Sequence, residues 1–156
     1  MVRSALVALA VAGLVAGCGG GTPAAVTTVK PLRQFRVIFP EGLTRAQMIK
    51  QVGDVARIAE SEIHGRKVKL SERAYAAATR RARVIPGFGS TRLPLEGFLF
   101  PDTYFFDKKS TSQFLAQEQL SEFRTMWDKV DMSYARSKNL TPYDIVKIAS
   151  IPSVIP

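Results

Sequence analysis

Four hydroxyl residues, Thr44, Ser71, Ser110 and Thr141, each stand directly before a stretch whose apolar residues recur at helical spacing. At an N-cap such a side chain accepts a hydrogen bond from the first helical turn, so these four positions mark where helices begin. Thr44 and Ser110 carry glutamine three residues on, the reciprocal capping-box pattern, and Thr141 is followed by Pro142 at the first helical position and by Asp144 in the first turn. The first helix is predicted over about Thr44 to Glu62, with Ala46, Ile49, Val52, Ala56, Ala59 and Ile63 on its inner face and His64-Gly65 as its stop, where an imidazole is favoured by the helix dipole. The second carries Tyr75, Ala78 and Ala82 on one face and basic residues on the other. The third has a broad apolar face of Phe114, Leu115, Leu120, Phe123, Met126, Trp127 and Val130, and the fourth is kept short by Pro152. Strand signals are fewer. Phe35 to Phe39 begins by alternating and is closed by Pro40, Lys67 to Leu70 is a shorter candidate, and Leu93 to Phe100 is apolar enough for a buried strand or turn after the loop Pro86 to Ser90. This pattern predicts an α+β fold, with a small β-α subdomain over residues 35–93 and a second part over 94–156.

The first 34 residues stand outside that fold. Met1-Val2-Arg3 is a short basic start, Ala5 to Val15 is almost unbroken apolar sequence, and Val15-Ala16-Gly17 places small residues before Cys18. A simple span needs about 20 apolar residues, and this run reaches Gly19-Gly20-Gly21 too soon. Residues 1–17 read as a lipoprotein signal peptide, Cys18 as the lipidated new N-terminus, and residues 18–34, rich in Gly, Thr, Ala and Val, as a tether. An uncleaved signal anchor with an incidental cysteine is the alternative. Both readings attach the chain to a membrane and put the folded part in the periplasm or outside the cell. A single cysteine rules out an intramolecular disulfide framework, and with one histidine it leaves no material for a zinc cluster, so no metal is expected. The 22 Lys and Arg against 13 Asp and Glu give a formal charge of +9, which favours anionic partners; export argues against nucleic acid. Arg80, Arg81, Arg83 and Arg92, with Lys67, Lys69 and Arg73, form a basic surface for anionic lipid or wall polymer, or else a merely solvated face.

One segment joins chemistry-bearing residues closely: Leu95-Glu96-Gly97-Phe98-Leu99-Phe100-Pro101-Asp102-Thr103-Tyr104. It combines two acids, a glycine that permits close backbone approach, and an aromatic wall, which suits the lining of a sugar cleft. Glu96 and Asp102 then either hydrogen-bond glycan hydroxyls, with Tyr104 or Phe98 stacking on a sugar ring, or satisfy backbone amides and hold the loop's shape. This block resembles, without a gap, the L-E-G-F-L-F-P-D-T-Y signature of the YceG/MltG-like family of endolytic transglycosylases. Phe39-Pro40-Glu41-Gly42-Leu43-Thr44 resembles the entry to that family's LysM-like subdomain. Leu140-Thr141-Pro142-Tyr143-Asp144 and Ile148-Ala149-Ser150-Ile151 are similar to its lead-in to the catalytic helix, in the same order.

The resemblance implies a LysM-like β-α subdomain followed by a YceG-like catalytic domain, incomplete here. It also implies a lyase that breaks peptidoglycan glycan strands between N-acetylmuramic acid and N-acetylglucosamine without water. One glutamic acid protonates the leaving oxygen and then, as carboxylate, takes the proton of the muramic C6 hydroxyl, closing an anhydro ring; no cofactor, metal or nucleophilic side chain enters. In the family that acid lies in A-S-I-V-E-K-E. Here Ala149-Ser150-Ile151 is followed by Pro152-Ser153, so Ser153 occupies the place of the expected glutamate and the chain is expected to stop before the catalytic acid. Two non-catalytic readings stay open beside an inactive enzyme fragment: a lipoprotein that binds wall glycan through the LysM-like part, and a scaffold for wall-synthesis proteins. Mass spectrometry of the purified protein is expected to give a mature form beginning at a diacylated Cys18; an unmodified thiol in a chain beginning at Met1 excludes the lipoprotein reading.

Overall fold

A computed structural model describes residues 33–150. The expected signal peptide, Cys18 and most of the expected tether, like Ser153, therefore lie outside the described residues. The fold is α+β. Strand β1 (Phe35–Ile38) buries Val37 completely and turns Arg36 and Ile38 outward, as the alternating run requires. Its partner is distant in sequence. Strand β4 (Thr103–Phe106) pairs with it antiparallel, with Phe35 opposite Phe106 and Ile38 opposite Thr103, and the Phe39 N–H extends the ladder to the Asp102 carbonyl at 2.9 Å. This pairing crosses the boundary expected at residues 93 and 94, and the buried cluster runs from Val37 to Val146. Both sides of that boundary share one core.

Between these strands the chain makes two helices and a hairpin. Helix α1 (Arg45–Glu62) begins at the Thr44 capping box, with Thr44 and Gln47 bonding reciprocally. Its inner stripe is Met48, Val52, Gly53, Ala56 and Ala59, rotated from the predicted face: Met48 and Gly53 are buried, whereas Ala46 is exposed. His64 and Gly65 do end it, but through their backbone. Both adopt positive φ, at 57° and 73°, and the Gly65 N–H reaches the Glu60 carbonyl at 2.8 Å. Residues 67–70 form no strand. Their polar backbone is committed elsewhere, the Val68 N–H to the Glu60 carboxylate at 3.2 Å and the Lys69 N–H to the Lys108 carbonyl at 3.3 Å. Helix α2 (Glu72–Arg80), capped by Ser71, stops before Ala82 and buries Tyr75 and Thr79. The two-residue strands β2 (Arg83–Val84) and β3 (Arg92–Leu93) then form a hairpin around the Pro86 to Ser90 loop, too short to give a periodic signal.

Helix α3 (Ser112–Trp127) starts one residue later than the capping pattern suggested. Ser110 is engaged in a turn with Asp107, whose N–H donates to the Ser110 Oγ and whose Oδ1 accepts the Ser110 N–H, so Thr111 takes over the cap. The Ser112 Oγ ties the start of α3 to the start of α2, accepting from the Ser71 N–H at 3.0 Å and donating to the Ser71 carbonyl at 3.1 Å. The short helix α4 (Ser133–Ser137) has no side-chain cap. Helix α5 (Pro142–Ala149) has the complete set of signals read from the sequence, with Thr141 and Asp144 in a reciprocal capping box and Pro142 in its first turn.

The core has a polar centre. Gln119 of α3 is fully buried; its amide oxygen accepts from the Tyr75 hydroxyl at 2.5 Å and its amide nitrogen meets the Met48 sulfur at 3.7 Å. Burial pushes the Tyr75 phenol well above its ordinary pKa, so it remains a neutral donor. Replacing Tyr75 by phenylalanine leaves the Gln119 carbonyl without that partner, and urea unfolding is expected to show a loss of about 1–3 kcal/mol. Adding Gln119→Leu to that variant should recover part of the loss, because both polar groups are then gone.

Candidate functional site

The signature block forms a turn after β3 and enters β4, and each of its first residues grips a different element. The Glu96 Oε1 accepts the Arg45 N–H at 3.0 Å, satisfying a donor that the first turn of α1 cannot satisfy internally. Gly97 has φ of 81°, and a Cβ built there would stand 3.0 Å from Val146 Cγ1 on α5. Phe98 is fully buried. Its ring meets Phe88 at 5.1 Å and Phe123 at 5.0 Å, both edge-on, and stacks on Tyr143 of α5 at 6.1 Å. Phe98 is thus not available to a sugar ring, which removes one of the two expected stacking residues.

The second half of the block faces a cleft. Asp102 is exposed, and its Oδ1 accepts the N–H of the next residue, Thr103, at 2.6 Å. Tyr104 is half-buried; its ring lies against Phe39 at 6.0 Å and its hydroxyl donates to the Phe100 carbonyl at 2.9 Å. Burial, followed by the nearby carboxylates of Asp102, Glu122 and Glu118, raises the Tyr104 pKa and keeps the phenol neutral. Asp102, Tyr104, Glu118 and Glu122 line a cleft of about 330 Å³ together with Phe105, Phe114 and other residues of β4 and α3. Phe105 is 62% exposed and Phe114 46%. Exposed ring faces beside carboxylates suit a polyhydroxylated ligand, since sugar C–H faces pack on rings while hydroxyls donate to carboxylates.

Glu118 and Glu122 were not singled out in the sequence, where α3 read as a core helix. Their spacing of four puts them on one helical face, a signal that acquires meaning only once β4 is known to lie beside it. Glu96 does not line this cleft; it serves the start of α1 instead. Among the described residues no group of side chains could hold a metal ion, and no helix is long and apolar enough to cross a membrane.

Helix α5 completes the arrangement. It has no extensive contact with another helix and rests on the signature turn through Val146 and Tyr143. At its start Lys147 and the Thr141 hydroxyl and amide hold the Asp144 carboxyl far below the usual carboxylate range. The sequence of this joint, from the Phe39-Pro40-Glu41-Gly42 turn to Ser150, is matched as a whole: residues 20–152 fit the YceG-like family. The chain belongs to the YceG-like family. Neither the curated proteins nor the solved structures contain a significant match to it.

Within this YceG-like chain the glycine of the signature combines a positive φ with a close neighbour. Gly97→Ala should cost about 1–3 kcal/mol, from the left-handed backbone and from the Cβ meeting Val146. In a double-mutant cycle, Val146→Ala should relieve the steric part and leave the backbone part, as measured by urea unfolding.

Proposed function

We propose that this protein is a membrane-anchored member of the peptidoglycan lytic transglycosylase type that engages glycan strands outside the cytoplasm but, as this chain stands, does not cut them. The observation that carries the reading is the seating of α5 on the signature turn: the family's acid follows Ala149-Ser150-Ile151, so the turn that holds Gly97 and Phe98 fixes the helix leading to the reaction. The cleft of Asp102, Tyr104, Glu118 and Glu122 supplies hydroxyl-binding groups close to that turn. Lys147 and Ile148 lie on the way from this joint to Ala149, within the same helix.

The reaction needs one side chain that gives and then takes a proton at the glycosidic and C6 oxygens. Such general acid–base assistance is typically worth about a hundredfold to ten-thousandfold. On the resemblance to the family's A-S-I-V-E-K-E segment, Ser153 falls at the place of the expected glutamate, and a hydroxyl does not act as a general acid near neutral pH. Glu96 does not replace it, because its carboxylate is committed to the Arg45 amide on a turn set by Gly97.

The test is incubation with purified insoluble peptidoglycan. The protein is expected to co-sediment and to release no anhydromuropeptides by mass spectrometry. Replacing Phe105 by alanine with Asp102→Asn and Glu118→Gln should weaken co-sedimentation about tenfold, the scale of one lost charged hydrogen bond or stacking contact. Anhydro products that vanish in Glu96→Gln would mean that the acid is Glu96, and binding unchanged by the triple variant would remove the cleft from the function.

A further inference from the structure

Beyond the glycan cleft, a larger groove of about 1000 Å³ runs along α2 toward the β2–β3 hairpin and the start of α3. Lys69, Arg80, Arg81, Arg83 and Arg92 line it, and no aspartate or glutamate does. Among the described residues none of these five cations takes part in an ion pair, whereas Arg33, Arg57, Lys67 and Lys147 each have a carboxylate partner. The floor is made low by alanines of α2, including Ala74, Ala77 and Ala78. Thr111, Ser112 and Gln113 form part of the wall, so the positive end of the α3 dipole adds to the field. Uncompensated like charges repel one another and cost stability, which makes the groove a place where bound anions would be stabilising.

We infer that this groove binds a flexible linear polyanion whose repeating units are joined by phosphodiesters and carry no bases. The argument for an anionic ligand is charge complementarity, and four of the five cations are arginines, whose planar forks match phosphate as well as carboxylate oxygens two at a time; a polyglutamate of matched charge that binds as tightly would remove the phosphodiester assignment. A single phosphate is far too small for a groove of this volume lined by five cations, so the ligand is repeatedly charged. A bilayer surface is the rival occupant, and the vesicle arm of the test below separates the two. Nucleic acid is disfavoured by composition, because no aromatic side chain lines the groove to stack with bases.

The probe is a synthetic poly(glycerol phosphate) of defined length, titrated into the full chain by calorimetry over a range of salt. Arg80, Arg81 and Arg92 are exposed, so the variant R80Q/R81Q/R92Q should keep its fold, as circular dichroism will check. Arg83 is left intact because its guanidinium donates to the Ala78 carbonyl at 3.1 Å. The control K50Q/K129Q/K138Q removes the same charge from exposed positions outside the groove. The groove variant should bind at least tenfold more weakly and show a salt slope smaller by about two to three, whereas the control should change affinity less than about twofold. Equal loss in the two variants would reduce the effect to net charge and overturn the site. Tighter binding to a single-stranded oligonucleotide of matched charge would reassign it to nucleic acid. Loss of binding to vesicles containing phosphatidylglycerol in the groove variant but not the control, which shares the same N-terminal anchor, would reassign it to the membrane. No binding of the polymer by the folded wild-type chain would also refute it. None of these outcomes depends on peptidoglycan co-sedimentation, so this site and the glycan cleft fail or survive separately.

Discussion

The burial of one phenylalanine ring seats helix α5 and the hairpin loop on the rest of the molecule. Phe98 has no exposed surface, and the three rings around it come from pieces with little else in common: Phe88 from the hairpin loop, Phe123 from α3 and Tyr143 from α5. Trp127 extends the cluster by packing on Phe88 at 4.7 Å. Each such aromatic pair contributes about 0.5–1.5 kcal/mol beyond the area it buries, and a loop and a short helix with few other contacts depend on that contribution. Without the ring, α5 would be a helix of two turns held chiefly by Val146, below the length at which isolated helices persist in water.

That dependence explains the composition of the signature. The residue before Phe98 has to be glycine because the turn needs positive φ and because α5 comes within contact distance of where a Cβ would be. The residue before that is an acid with a defined acceptor task at the start of α1, where a negative charge is favoured by the helix dipole. Three adjacent residues thus connect α1, α3, α5 and the hairpin, and β1–β4 pairing closes the same unit from the other side. A sequence block usually taken as the mark of a reaction is, in its first half, a joint. Its second half, Asp102 to Tyr104, is the part that meets solvent in a cleft.

What was legible in the sequence follows from how local each determinant is. The caps at Thr44, Ser71 and Thr141 act within four residues of themselves, and all three begin helices where expected. The cap at Ser110 failed by one residue because a neighbouring acid, Asp107, competed for the same hydroxyl. Lys67 to Leu70 has the composition of a strand, but a strand needs a partner edge, and here a glutamate side chain and a loop carbonyl satisfy the backbone instead. The pairing of β1 with β4 spans more than sixty residues and leaves no local trace. The candidate site divides in the same way: Asp102 and Tyr104 could be named from one segment, whereas Glu118 and Glu122 become cleft residues only because α3 packs beside β4, and Phe98 is taken into the core by rings from the hairpin loop, α3 and α5.

Around the start of α3 charge is sorted rather than mixed among the described residues. On one side of the α3 start lies a groove lined by five cations and no acid; on the other lies a cleft with Asp102, Glu118 and Glu122 and no cation. Thr111 lines both, so a single capped turn separates them. In such a short chain this proximity would normally favour neutralisation, since unlike charges on neighbouring surfaces attract at separations below the Debye length of about 8 Å. Among the described ion pairs none joins a groove cation to a cleft carboxylate, and the result is two surfaces with opposite preferences. Hydroxyl-rich, uncharged sugar suits the acidic side, where it can donate to carboxylates without bringing charge of its own. A phosphate chain is repelled there and attracted across the turn, so the two surfaces differ in the charge they accept.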